Sequence, residues 1–157
     1  MSSALPLEAP YTPDNYNPES SIGRLIADVS GRLLASLDNE MTEFGITGAQ
    51  WVILMRIANG CASTAAELCR YSRYDTGSMT RMLDRLEDKG FIRRVRSQED
   101  RRIIHLELSE AGKVLYPHLP PVAIKVLNQH LRGFSEDELR LFRSFLERMI
   151  INADQTP

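Results

Sequence analysis

Apolar residues recur at Ile22, Leu25, Ile26, Val29, Leu33, Leu37 and Met41, the three-and-four spacing that lines one face of an amphipathic helix. Gly45 supplies a stop, and Thr47 an N-cap for a second helix over residues 48–59. Trp51, Val52, Leu54, Met55 and Ile57 make that second helix apolar almost all round, so it is expected to be buried. After Gly60, Ser63 and Thr64 precede Ala65, Ala66 and Glu67, a cap with an acid in the first turn of a short third helix ending near Tyr71. Asp75 caps a fourth helix that sets Met79, Met82, Leu83 and Leu86 on one face and Ser78, Arg81, Asp84, Arg85 and Asp88 on the others, and Gly90 closes it.

The period then shortens. Residues 91–96 read as a strand, 97–102 as a polar turn and 103–108 as a second strand, with Ile104, Leu106 and Leu108 alternating against Ile103, His105 and Glu107. Ser109 caps a long helix toward Leu131 that Pro117, Pro120 and Pro121 are expected to bend or interrupt. Ser135 and Glu138 form a capping box for the last helix, whose stripe of Leu139, Phe142, Phe145, Leu146, Met149 and Ile150 exceeds what a terminal helix needs unless something covers it. The fold class is therefore mainly α with a small β-hairpin. Residues 1–18, with four prolines and no helical period, read as a flexible, extended arm, and residues 19–157 as a single domain.

Composition adds exclusions. A chain of 157 residues can bury a core without disulfides. No apolar run approaches the length of a membrane span, and the basic-then-apolar layout of a secretory signal is missing, which makes a cytoplasmic protein with reduced cysteines the expectation. Cys61 and Cys69 then read as buried structural thiols. No nucleophile with a supporting base, phosphate-binding glycine loop or metal-ligand spacing occurs, and His105, His118 and His130 stand apart. Neither an enzyme nor a bound metal or cofactor is expected.

The net charge of −2 hides an asymmetry that changes the picture: residues 70–102 carry ten Lys/Arg against six Asp/Glu, leaving −6 for the rest. Two helices joined by a short turn and followed by a charged hairpin suit duplex DNA, the fourth helix reading the major groove and the hairpin reaching the flanking backbone or minor groove. Arg81 suits a bidentate contact to guanine, Arg73, Thr76, Gly77 and Ser78 lie at or just before the helix start, and Arg101 and Arg102 at the hairpin tip suit a narrow, negative minor groove. Asp100 is expected to tie down a nearby arginine and stiffen the loop rather than touch DNA.

Asp100, Arg101 and Arg102, followed by Leu106, Leu108, Ser109 and Gly112, resemble the wing signature of the MarR family. Leu83, Asp84, Leu86, Glu87, Lys89, Gly90, Phe91 and Ile92 resemble the end of that family's recognition helix, and Ile46, Thr47 and Gln50, followed by Trp51, the start of its second helix. The resemblance spans residues 22–150. It implies a winged helix-turn-helix over residues 47–108, dimerisation helices over residues 20–44 and 109–152, and a homodimeric transcriptional repressor on an inverted-repeat operator, nucleoid-associated when bound. It also implies release by a small aromatic or phenolic acid, for which Trp51 and Met55 would form an apolar wall, Arg24 would pair with the carboxylate, and Tyr116 or His118 would reach a hydroxyl. The alternatives at this stage are a cysteine-based redox-responsive regulator and a DNA-binding module without an effector.

Overall fold

The computed structural model describes residues 9–72 and 74–155, so residues 1–8, Arg73 and residues 156–157 lie outside the described residues. Seven helices and one hairpin follow in the order α1 (Ile22–Met41), α2 (Gly48–Ala58), α3 (Ala65–Tyr71), α4 (Thr76–Asp88), β1 (Ile92–Arg96), β2 (Ile104–Leu108), α5 (Glu110–Leu115), α6 (Leu119–His130) and α7 (Glu136–Asp154). Side-chain caps set most of the helix starts. The Thr47, Thr64 and Ser135 side chains each accept the N3 backbone N–H while Gln50, Glu67 and Glu138 reach back, three complete capping boxes. Of the two candidates before α3, Thr64 is the cap, and Ser63 donates its N–H to the same Glu67 carboxylate at 2.6 Å.

Of the two outcomes expected of the prolines, the structure shows interruption. The long helix is two, α5 and α6, separated by a 3-10 turn over Tyr116–His118. Pro117 lies in that turn, and Pro120 and Pro121 occupy the first turn of α6, where a helix has no use for their missing N–H. The described part of the proline-rich segment is not extended throughout either. Tyr16 N–H donates to Thr12 O at 3.0 Å, Tyr11 and Tyr16 meet edge to face at 5.6 Å, and Ile22 N–H donates to the Tyr11 hydroxyl at 2.9 Å. Tyr11 thus satisfies one of the unpaired N–H groups at the start of α1.

One apolar cluster holds α2, α3, α4 and the hairpin together. Leu54, Leu68, Met79, Leu83 and Leu86 are fully buried in it, joined by Trp51, Ile92 and Leu106 and, from outside the lobe, by Met41 and Leu119. The hairpin is antiparallel, with Ile92 opposite Leu108 and Arg96 opposite Ile104. Its base is fastened by the Leu106 N–H, which donates to Ser63 O at 2.7 Å. The expected inward face of β2 holds at Leu106, which is buried, and at Leu108, half-buried against the core, but Ile104, nearer the tip, is exposed because the hairpin has run past the lobe. Cys61 corrects another expectation. It follows Gly60 in the turn after α2 and is exposed, whereas Cys69 is half-buried.

Candidate nucleic-acid interface

The start of α4 is built around Asp75. Its carboxylate accepts the Ser78 N–H at 2.9 Å and the Ser78 hydroxyl at 2.8 Å, and these bonds hold its pKa below the usual carboxylate range. A Cβ on Gly77 would come within 3.2 Å of that carboxylate, and the Arg81 guanidinium lies 4.0 Å from the same point. Gly77 therefore leaves the first turn open, and the exposed Arg81 folds back over it, bringing guanidinium, Thr76 and Gly77 to one end of the helix. Arg81 has no ion-pair partner among the described residues. Arg73, expected beside them, lies outside the described residues.

The hairpin tip is ordered by short side chains. Ser97 Oγ accepts the N–H groups of Glu99 and Asp100, and Asp100 Oδ1 accepts the Arg102 N–H at 2.9 Å. Asp100 orients the loop, but through backbone rather than by gripping a guanidinium as expected. Its chain position, two residues before Arg102, makes an Asx-type turn the nearer partner. Arg101 and Arg102 are exposed and, among the described residues, unpaired.

Two features escaped the sequence reading. Arg94 Nη2 donates to Asp84 Oδ1 at 2.7 Å, its Nη1 to Glu87 Oε2, and its backbone N–H to Glu87 Oε1 at 3.2 Å, joining wing to helix. The strand period carried the signal, since Arg94 shares a face with the buried Ile92 and an inward guanidinium needs acids. At the other end of α4, Lys89 Nζ donates to Gly45 O at 2.5 Å and to Gln50 Oε1 at 3.3 Å, tethering the helix to the α1–α2 corner.

A groove of about 330 Å³ opens between α1, α2 and α6, lined by Leu33, Leu37, Trp51, Met55, Pro120, Ala123, Ile124, Val126 and Leu127. Trp51 and Met55 stand where the sequence placed them. Tyr116 is behind the wall rather than in it, stacked on Trp51 at 5.8 Å with its hydroxyl 3.4 Å from Asn59 Oδ1. His118 is exposed on the 3-10 turn and does not line the groove. Nor does Arg24: it pairs with Asp28 at 3.0 Å and Glu19 at 3.6 Å near the start of α1, about 13 Å along the helix from Leu33. The lining carries no charged group.

Among the described residues, no three His, Cys, Asp or Glu side chains are placed to hold a metal ion, and no helix is long and apolar enough to cross a membrane. A helix-turn-helix with a two-stranded wing, flanked by helices at both ends of the chain, defines a winged helix-turn-helix protein. The MarR family model matches residues 46–104. The multiple antibiotic resistance protein MarR of Escherichia coli is 29% identical over 140 residues, covering 88% of this chain and 97% of that protein. The regulator SarZ of Staphylococcus aureus is 26% identical over 128 residues, covering 80% and 86%. Among solved structures, transcriptional regulator PA3341 is 31% identical with a TM-score of 0.78, over 87% of this chain and all of that one. A cysteine-to-serine variant of E. coli MarR in complex with operator DNA is 26% identical with a TM-score of 0.73, over 82% and 92%. The chain belongs to the MarR family of transcriptional regulators.

Proposed function

We propose that the protein is a homodimeric, sequence-specific DNA-binding repressor that acts on chromosomal operators, with α4 in the major groove and the wing in the flanking minor groove. One observation carries this reading. Arg81 at the start of α4 and Arg101 and Arg102 at the wing tip are exposed and unpaired among the described residues, while the neighbouring Arg93 and Arg94 are consumed by Glu107, Asp84 and Glu87. Free guanidinium groups at both ends of the reading head are what phosphates and guanine edges require. The related E. coli MarR variant, solved in complex with operator DNA, supports DNA as the partner.

Selection from a random duplex pool, followed by footprinting, tests it. The expected product is an inverted repeat with half-sites about one helical turn apart, because a two-fold protein copies its symmetry into its site. Arg81→Ala should weaken binding by about 1–3 kcal/mol and relax preference at one base position, whereas Arg101→Ala should weaken all sequences alike and lower the salt slope by about one. A single half-site bound by one chain would overturn the dimeric reading.

The apolar groove supports a ligand-responsive version in which a small aromatic acid places its ring against Trp51 and Met55 and biases the reading heads away from the operator. With Arg24 held by Asp28 and Glu19, the ring rather than the carboxylate is what this chain recognises. Benzoate, hydroxybenzoate, cinnamate and phenylacetate derivatives and their neutral amides should then compete with operator comparably, and Arg24→Ala should change nothing. Ligands that raise Tm without changing operator affinity would refute the regulatory step.

A further inference from the structure

The wing's hold on α4 is narrow. A two-stranded hairpin is marginal by itself, and this one is buried only at its base, through Ile92 and Leu106. Beside that base a groove of about 380 Å³ opens between the hairpin, α3 and α4, lined by Arg94 and Ile104 of the hairpin, Ala65 of α3 and Thr80 and Asp84 of α4. The Arg94 guanidinium lines it and reaches α4: one arm meets Asp84, the other Glu87, and the Arg94 backbone N–H also reaches Glu87. Asp84 and Glu87 are three residues apart and so share one side of α4. These are the ion pairs that join hairpin to helix among the described residues. Burial would pull the Arg94 pKa down, yet the two carboxylates outweigh it and the pKa is raised, as a committed pair requires.

We propose that Arg94 is a positioning residue for DNA recognition: its two-armed fork on Asp84 and Glu87 fixes the angle between wing and recognition helix, so that Arg81 and the tip arginines engage one duplex in register, while Arg94 itself touches no DNA. The inference rests on the DNA-binding reading above. The lever is long enough to matter. The tip begins three residues beyond Arg94, about 10 Å along a strand, so a tilt of 15° would move it by about 3 Å. That is about half the width of the minor groove it must enter. The fork also places a cation between two carboxylates on the helix that faces the phosphates, where they would otherwise repel the duplex. Lysine cannot substitute, because one ammonium on a flexible stem lacks the planar pair of arms.

The test compares the full-length wild type with Arg94→Lys, Arg94→Met and Asp84→Asn on operators whose wing-contacted flanks are A·T or G·C. Amide exchange of residues 97–103 is measured in the free proteins alongside. Arg94→Lys and Arg94→Met are expected to bind tenfold or more weakly and to lose discrimination between the flanks, and Arg94→Lys, which keeps the positive charge, to keep the wild-type salt slope. Exchange at the tip should rise while the buried amides of α2 stay protected, and Asp84→Asn, which removes one arm and leaves the guanidinium, should show a smaller shift in the same direction. A salt slope reduced by about one with flank discrimination retained would make Arg94 a phosphate contact and overturn the proposal. A lower Tm with uniform loss of affinity, fully rescued by Arg94→Lys, would overturn it in favour of a merely structural charge. Should the wild type select no duplex at all, the DNA-binding reading fails separately, and unchanged tip exchange in all three variants would still overturn the fork.

Discussion

A single missing Cβ holds the junction between the wing and α5. Built onto Gly112, a Cβ would lie 2.0 Å from the Phe91 carbonyl oxygen and 3.0 Å from its carbon, both backbone atoms that cannot swing aside. The same junction is tied by Ser109, whose hydroxyl donates to Gly90 O and accepts the Gly112 N–H at 3.0 Å. Gly112→Ala must therefore push α5 off the start of β1, and a loss of about 1–3 kcal/mol, the usual range for overpacking, is expected in urea denaturation. An unchanged midpoint would mean the junction yields at no cost. Single residues were unevenly legible. Ser109 stands out as a cap and Gly112 as part of the wing signature, whereas the Phe91 carbonyl that Gly112 meets and the Arg94 fork are contacts between distant segments, visible only once both partners are placed. Arg24 finds its partner four residues on, in the Asp28 that helical spacing offers, and this keeps its guanidinium away from the groove.

Elements were read best where a cap and a period agreed. α1 falls where its apolar spacing puts it and the start of α7 where Ser135 does, Ser21 emerging as the cap of α1 only in the structure, and the interruption expected of the prolines takes the form of a 3-10 turn that absorbs Pro117. The N-cap of α4 has a functional consequence because it shapes the end of the helix that carries Arg81. The Asp75 pKa is depressed, chiefly by the Ser78 N–H and next by the Ser78 hydroxyl, so the folded protein holds the carboxylate ionised below its ordinary value of 3.8. A depressed carboxylate stabilises at any pH above the unfolded value, and that contribution disappears as pH falls from there through the folded value. Amide exchange in the first turn of α4 should thus be flat from pH 7 down to about 4, after correction for intrinsic rates, and accelerate below it. Asp75→Asn should flatten that rise; an identical acid limb in the variant would take the cap out of the account.

At the scale of the whole molecule, α7 is unexplained by one chain. None of its nineteen residues is buried. Phe142 and Phe145 remain 43% and 45% exposed and Ile150 63%, and Ile22, Leu25 and Val29 of α1 are about half exposed as well. An apolar surface of this extent, on the two helices nearest the chain ends, is what an isologous contact covers, each copy lending α1 and α7 to the other. The length of the stripe was plain from its three-and-four spacing; that nothing among the described residues covers it was not, because periodicity shows a face and never its partner. In a two-fold interface every substitution is present twice, which makes a charge on this stripe a sensitive probe. Burying one phenyl side chain is worth about 1.5–3 kcal/mol. Phe145→Glu removes two per dimer, or about 3–6 kcal/mol, which raises the dimer Kd by about two to four orders of magnitude before the cost of burying the carboxylates is added. Sedimentation over a concentration series should show the wild type as a dimer and Phe145→Glu as a monomer at micromolar concentration, with operator binding lost in parallel because one reading head cannot span two half-sites. A Phe145→Glu protein that sediments as the same dimer would place the interface elsewhere and leave the exposed face of α7 for another partner.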